Sequence, residues 1–331
     1  MNRKWDADAV LGLIRGCQPA CVLAAAADLD VFTALGDSPA SPETLAARIQ
    51  TDPRATAVLL DALAAMGLLA KQVDRFVVPP DVAELLTEDS PRNILPGVRH
   101  QANCLRRWAR LATVVQTGRP AERTPSVRGL QADCESFIGA MNNFSETVAP
   151  SVIARLMPLR FERLLDIGGA SGTWTIAFLL AAPDATAVLF DLPEVVPLAR
   201  ERLARAGLAD RVTLVAGDYN VDPMPTGADF AWLSAIAHQN SRQENRLLYA
   251  KIQGALAPGG ILAIRDIVLD ASRTQPPAGA LFAVNMLTAT EGGGVFTFDE
   301  YREDLESAGL IDAQLLHWDE GMNSLIRARK R

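Results

Sequence analysis

The chain is poor in the residues that usually announce a specialised chemistry. It has four cysteines and three histidines in 331 residues, 6% aromatic side chains, and 39 acidic against 32 basic residues, a net charge of -7. Cys17, Cys21, Cys104 and Cys134 are too scattered for a disulfide framework or a paired-cysteine zinc site. They are expected to be buried small hydrophobes, and no metal is expected. The acidic balance argues against a nucleic-acid partner, which would leave a basic footprint. No uninterrupted apolar run approaches the ~18 residues that a spanning helix needs, and the opening MNRKWDADAV lacks the apolar core of a secretory signal. A cytoplasmic protein without a membrane partner is therefore expected. What is present in quantity, 49% hydrophobic and 21% charged residues, describes a globular chain, and 331 residues suggest two domains.

Three regions are expected, 1–98, 99–158 and 159–331. In the first, DSPASPETLAARIQ offers Ser41 as N-cap before Pro42, and TDPRATAVLLDALAAMG repeats the device with Asp52, Pro53 and a terminating Gly67. Leu59, Leu63 and Met66 form an apolar stripe, and LLAKQVDRFVVPP alternates as a strand, turn and strand. The result is a mainly α winged-helix unit. Its second helix sets only Arg54 against Asp61, little charge for phosphates, so packing or dimerisation is the better reading. The second region reads as a helical connector with a polar break at RPAERTPSVRG.

From residue 159 onward, apolar runs alternate with helical stretches: RLLDIGG, TAVLFDL, RVTLVAGD, ADFAWLSAIAH and GGILAIRD. This pattern predicts an α/β fold, a mostly parallel sheet with helices on both faces and a site at the strands' carboxyl ends. Three signals stand at consecutive strand ends. Asp166 precedes Gly168, Gly169 and Gly172, which permit close backbone approach. A dinucleotide fingerprint counted from Gly168 would need glycines where Ala170 and Thr173 stand, so a nicotinamide site is disfavoured. Asp191, in LFDLPEV, can accept from both hydroxyls of a ribose. Asp218 can accept from an exocyclic amine, and Tyr219 can lie against an adenine face. Together they describe a nucleoside site without a pyrophosphate cradle.

With these motifs in order, the chain resembles the S-adenosylmethionine-dependent O-methyltransferases of the acetylserotonin and plant caffeic-acid type. The resemblance runs from the winged-helix region through DIGGASG, DLPEV, GDY and AHQNS to NMLTATEGG and FDEYREDLESAGL. It implies a Rossmann-like class I methyltransferase domain with a seven-stranded sheet, preceded by a dimerisation domain, and a homodimer acting on a small aromatic substrate. It further implies that the glycine loop holds the methionine part of S-adenosylmethionine, Asp191 with Leu192 the ribose side, and Asp218 with Tyr219 the adenine. Ser234 stands where plant members have a lysine, a contact that the backbone can supply. His238 matches the family's general base, and Asp266, 28 residues on, matches the first of two flanking carboxylates. A phenol with a pKa near ~10 needs such a base to become a good nucleophile. Met141, Asn142, Phe282, Asn285 and Met286 fall in the two segments that line the acceptor pocket.

The departures from the pattern bear on chemistry. Gln239 and Asn240 replace an Asp-Trp pair, which is expected to alter the histidine's setting. Val295 replaces the second carboxylate, leaving Glu291 as the nearby acid. These changes keep open C- or N-methylation, or a non-methylating reaction such as decarboxylation or hydroxylation, on the same fold and cofactor. A winged-helix regulator with a ligand-sensing domain is the non-enzymatic alternative. His100 and His317 have no comparable context and read as structural or surface residues.

Overall fold

The computed structural model describes residues 5–36, 38–156 and 160–331. The chain forms two compact units, one of residues 1–106 and 123–143, the other of residues 107–122 and 144–331.

The first unit opens with α1 (Ala7–Arg15), α2 (Cys17–Asp28) and α3 (Val31–Leu35), followed by the predicted winged helix: α4 (Pro42–Ile49), α5 (Pro53–Ala65), β1 (Ala70–Gln72) and β2 (Arg75–Val77). The Ser41 hydroxyl and the Asp52 carboxylate accept from the backbone N–H of Thr44 and Ala55, so both predicted caps are in place. On α5 the buried face is Thr56, Leu60 and Leu63 rather than the expected Leu59, Leu63 and Met66. The i, i+4, i+7 row is the one that turns toward Phe32, Leu45 and Phe76 in the core, and Met66 is exposed.

One further expectation is corrected here. Only Cys104 is buried; Cys17 and Cys21 are exposed because α2 buries only Ala26 and Ala27, and Cys134 on the later helix 130–146 is exposed as well. The 22 residues Ala7–Asp28 are also long and apolar enough, by length and composition, to cross a membrane. Unbroken apolar runs miss this stretch because single charges such as Asp8 and Arg15 interrupt it without making its average polar.

The chain continues through α6 (Pro80–Leu86), α7 (Leu95–Trp108), α8 (Leu111–Thr117), α9 (Leu130–Glu146) and α10 (Ala149–Leu156). The second unit then alternates β3 (Arg163–Ile167), α11 (Thr173–Ala181), β4 (Thr186–Asp191), α12 (Val196–Arg205), β5 (Val212–Ala216), β6 (Ala228–Ser234), α13 (Arg242–Ala255) and β7 (Leu256–Asp266). β8 (Val268–Leu269), α14 (Pro277–Ala289), β9 (Phe296–Thr297), α15 (Phe298–Ser307), β10 (Leu310–His317) and β11 (Ser324–Lys330) complete it.

Seven strands form the predicted sheet in the order β10-β11-β7-β6-β3-β4-β5. β3 to β7 run parallel, and β11 is antiparallel to both β7 and β10. The parallel strands read as continuous apolar runs because helices cover both faces. Leu165, Ile167 and Phe190 point to the side of α13 and α15, whereas Leu164, Leu189 and Trp232 point to the side of α10, α11 and α12. From β3 the chain builds outward to β4 and β5, then crosses back to lay β6 on the other side of β3. That reversal opens a crevice at the carboxyl ends of β3 and β6, where ligands bind in such sheets.

Candidate active site

The two sides of the crevice are the glycine loop after β3 and the histidine turn after β6. Gly168 has a φ of +64°, and a β-carbon on it would fall 2.7 Å from Ile236 Cδ1. Only glycine allows both the left-handed backbone and this approach to the histidine turn. The loop is secured from three directions. Gly168 N–H donates to the Phe190 carbonyl (2.9 Å), Ala170 N–H donates to Asp191 Oδ2 (2.7 Å), and Arg202 on α12 donates to the hydroxyls of Ser171 and Thr173 (2.7 and 2.8 Å). Arg202 was not legible in the sequence, being one of several arginines on an amphipathic helix.

Asp166 is the most enclosed of the predicted cofactor residues. It lies beneath the loop, where its Oδ2 accepts from the Thr175 hydroxyl (2.6 Å). Burial, with Asp191 adding to it, pushes its carboxyl up to about 7. The folded state therefore holds the proton more tightly than the unfolded chain. The stability from this group is present below the ordinary carboxyl range and is lost as pH rises from about 4 through about 7. Asp166→Asn, which does not titrate, is expected to gain stability relative to the parent across that window, by on the order of a few kcal/mol at its upper end. Denaturant unfolding of both proteins at several pH values reads this directly, and parallel stability profiles would refute it.

Asp191 ends β4 with each oxygen on a backbone donor, Ala170 N–H for Oδ2 and Leu192 N–H for Oδ1 (both 2.7 Å). Each oxygen retains a lone pair for a ligand hydroxyl. Burial raises the Asp191 pKa above the usual carboxylate range. Tyr219 lies in the same electrostatic neighbourhood: burial, then Asp218, Asp191 and Glu244, push its phenol up to about 12. Leu192 is 38% exposed, an apolar surface beside the Asp191 carboxylate. The Ser234 hydroxyl is engaged by Arg265 (3.1 Å), so a ligand would meet this position through its backbone. A closely packed glycine loop, a carboxylate with free lone pairs and a half-buried phenol fit a nucleoside joined to an amino acid, as in S-adenosylmethionine.

His238 lies four residues beyond the end of β6, in a short 3-10 turn of Ala237–Gln239. Its Nδ1 meets Asp266 Oδ1 at 2.8 Å, and its backbone N–H donates to Asp266 Oδ2 at 3.2 Å. Because a carboxylate only accepts, Nδ1 carries the proton and Nε2 presents its lone pair. Phe282 and the imidazole pack edge to face, at 4.9 Å between centroids and 90° between planes. The predicted pair and one predicted pocket residue are thus brought together.

Gln239 and Asn240 serve the backbone of this turn. Gln239 Nε2 donates to the Ala235 carbonyl (2.9 Å), and buried Asn240 donates to Asn245 (3.1 Å), which in turn donates to the Ala237 carbonyl (2.8 Å). The outer wall of the turn is the Gly292–Gly294 run. Gly294 N–H donates to the His238 carbonyl (2.9 Å), and a β-carbon on Gly293 would fall 2.5 Å from that same oxygen. Three successive glycines were the available signal for this contact. Val295 is buried beside Ile267, Leu269 and Phe282, and Glu291 is exposed.

On α14, Asn285 stands one turn beyond Phe282, and its Oδ1 accepts from Trp108 Nε1 (3.0 Å). Trp108 was missed from the sequence, since one aromatic in a helical run has no distinguishing mark. Met286 is buried, while Met141 and Asn142 lie on α9 of the other unit's stretch of chain. His100 packs edge-on against Phe137 in the first unit, and His317 meets Arg155 on an exposed face of the second.

A family model described as an O-methyltransferase domain matches residues 108–311, and one described as an O-methyltransferase dimerisation domain matches residues 12–89. The chain is 31% identical over 300 residues to the tetracenomycin polyketide synthesis 8-O-methyl transferase TcmO of Streptomyces glaucescens, covering 88% of each protein. It is 29% identical to the 3-hydroxy-5-methyl-1-naphthoate 3-O-methyltransferase of Streptomyces sahachiroi, over 93% of this chain and 91% of the other. Enzymes named for N,N-dimethylation and for C-methylation of tyrosine are also among the matched relatives. The solved structure of human N-acetylserotonin methyltransferase in complex with SAM superposes with a TM-score of 0.81 at 25% identity, over 100% of this chain and 99% of that one.

Proposed function

The chain belongs to the S-adenosylmethionine-dependent O-methyltransferase family, and from that premise we propose that it methylates a hydroxyl of a small, flat aromatic acceptor with His238 as general base. The observation that carries this reading is the buried His238 Nδ1 contact with Asp266 Oδ1 at 2.8 Å, which leaves Nε2 for a substrate, with Phe282 packed against the imidazole. The bound cofactor supplies a methyl group already activated on its sulfonium. Gly168, Gly169 and Gly172 line its methionine part, Asp191 and Leu192 its ribose side, Asp218 and Tyr219 its adenine, and the Ser234 backbone adds to the wall.

Nε2 of His238 would take the hydroxyl proton as the acceptor oxygen bonds to the methyl carbon, the carbon–sulfur bond would break to leave S-adenosylhomocysteine, and Asp266 would balance the charge that the imidazole gains. Phe282 and Met286 offer apolar surface for a ring. Asn285 refines the acceptor class. An indole N–H can only donate, so Trp108 fixes the Asn285 oxygen toward itself and turns the amide N–H groups elsewhere. An aromatic with a carbonyl or ring nitrogen near the methylated hydroxyl suits that donor.

The test is incubation with methyl-labelled S-adenosylmethionine and a panel of hydroxylated naphthoates, phenazines and simple phenols, with products identified by mass spectrometry. A label on oxygen is expected, with preference for acceptors that carry an adjacent hydrogen-bond acceptor. A label only on carbon or nitrogen would overturn the assignment of His238 as a phenol base. The dimerisation-domain match supports a homodimer, to which exposed Val10, Leu13 and Ile14 of α1 would contribute apolar area. A single-chain mass by sedimentation at micromolar concentration would contradict it.

A further inference from the structure

A cavity of about 600 Å³ lies between α10 and α11, within the second unit. None of Asp166, Gly168, Asp191, Asp218 or His238 lines it, so it is separate from the crevice that the methyl-transfer reading uses. Ala149 and Ile153 of α10 and Ile176, Ala177 and Leu180 of α11 supply its apolar wall. Ala149 and Ile153 are buried, Ile176 and Ala177 are partly exposed and Leu180 is exposed, so this apolar surface opens outward instead of closing as core. A cleft of this volume, apolar with a few converging polar groups, has the character of a small-molecule site.

The polar groups gather at the start of α11. The Thr173 hydroxyl accepts from Arg202 Nη1 (2.8 Å), which also donates to the Ser171 hydroxyl (2.7 Å). Arg202 Nη2 meets Glu146, the last residue of α9, at 3.6 Å. Thr173, Arg202 and Glu146 all line the cavity. From Thr173 the wall continues for two helical turns to Leu180, a distance of about 10 Å along α11.

The two hydroxyls hold the guanidinium in place without neutralising it. Among the described residues Glu146 is the one carboxylate within ion-pair reach of Arg202, and its contact is longer than a hydrogen bond, from a side chain largely in water. Burial lowers the Arg202 pKa; Glu146 offsets this only in part, and Arg205 adds to the lowering. Arg205 is itself paired with Glu201 along α12. Nε and Nη2 of Arg202 donate to no described group, which leaves donors on one edge of a guanidinium that the glycine loop has already fixed. A carboxylate can take two such donors side by side.

We propose that the cavity between α10 and α11 binds an amphipathic monoanion, an apolar body with one carboxylate, whose charge is taken by Arg202 in competition with Glu146. The site is independent of which atom the enzyme methylates.

Calorimetric titration with octanoate, and with 1-octanol as the neutral molecule of the same chain length, tests it. Octanoate is expected to bind the parent saturably at millimolar concentration, ~10-fold or more tightly than octanol, the effect of a hydrogen bond to a charged group. Leu180→Glu, at an exposed position, sets a like charge against the apolar tail and is expected to weaken octanoate binding by ~10-fold. Glu146→Gln removes the competing carboxylate and is expected to tighten it by about threefold. Arg202→Gln is expected to erase the preference for octanoate over octanol. Far-ultraviolet circular dichroism matching the parent establishes that each variant is folded. Equal affinity for the two probes in the parent, unchanged octanoate affinity in Leu180→Glu, or a retained preference in Arg202→Gln would each overturn the proposal.

Discussion

His238→Ala is expected to lower turnover by ~10²–10⁴-fold, the usual span for loss of a positioned general base, with affinity for S-adenosylmethionine unchanged. The separation follows from where the residue sits. The imidazole is held by Asp266 and met by Phe282. The expected cofactor contacts come from the loops after β3, β4 and β5 and from the Ser234 backbone at the end of β6, none of them from the imidazole itself. Removing the ring also leaves the local structure supported. Asp266 keeps the backbone donors of residue 238 and Ile267, and the turn keeps its bonds from Gly294 and Asn245. Single-turnover kinetics at saturating cofactor, paired with calorimetric binding, measure the two quantities apart. Turnover within about threefold of the parent would remove His238 from the chemistry, since even a modest base contributes ~10²-fold.

Asp191→Ala is expected to weaken S-adenosylmethionine binding by ~10²-fold or more while changing turnover at saturating cofactor little. Two charge-assisted hydrogen bonds to ribose hydroxyls, at ~1.5–3 kcal/mol each, already account for a factor of that size. A second loss adds to it. Asp191 Oδ2 holds the N–H of Ala170, a residue at φ +47° within the glycine loop, and releasing it loosens the loop that Gly168 packs against Ile236. Asp191→Asn separates the contributions. It keeps one oxygen for Ala170 N–H but loses the charge and one acceptor, so its affinity should fall between the parent and Asp191→Ala. Equal affinity of all three proteins would mean that the ribose is held elsewhere.

Much of the site was legible because its signals are local. Caps such as Ser41 and Asp52 act within one helical turn, and both formed as expected. The acids and glycines at Asp166, Gly168, Asp191 and Asp218 mark strand ends by residue type alone, and the strands end there. The face of α5 and the exposure of Cys17, Cys21 and Cys134 were misjudged for the opposite reason. Which row of a short helix is buried, and whether a small residue on an Ala-rich helix meets a neighbour, depends on elements outside the window that shows the periodicity.

The departures at Gln239 and Asn240 raised a question of chemistry in the sequence, and their hydrogen bonds give a structural answer. Both side chains secure the turn that carries His238, through Ala235 and through Asn245. The Trp108 contact with Asn285 spans 177 positions, and nothing near either residue announces it.

The sequence by itself determined the family, the order of strands and helices, and the residues at each strand end, because alternation, capping and glycine placement are written in neighbouring positions. The tertiary structure decided which of those ends meet. Crossing back from β5 to β6 sets Ile236 against Gly168, and pairing β8 with β9 brings the Gly292–Gly294 run to His238. Such meetings are set by long-range strand order and register, whose free energy is collected over the whole sheet and leaves no mark on any short stretch of chain.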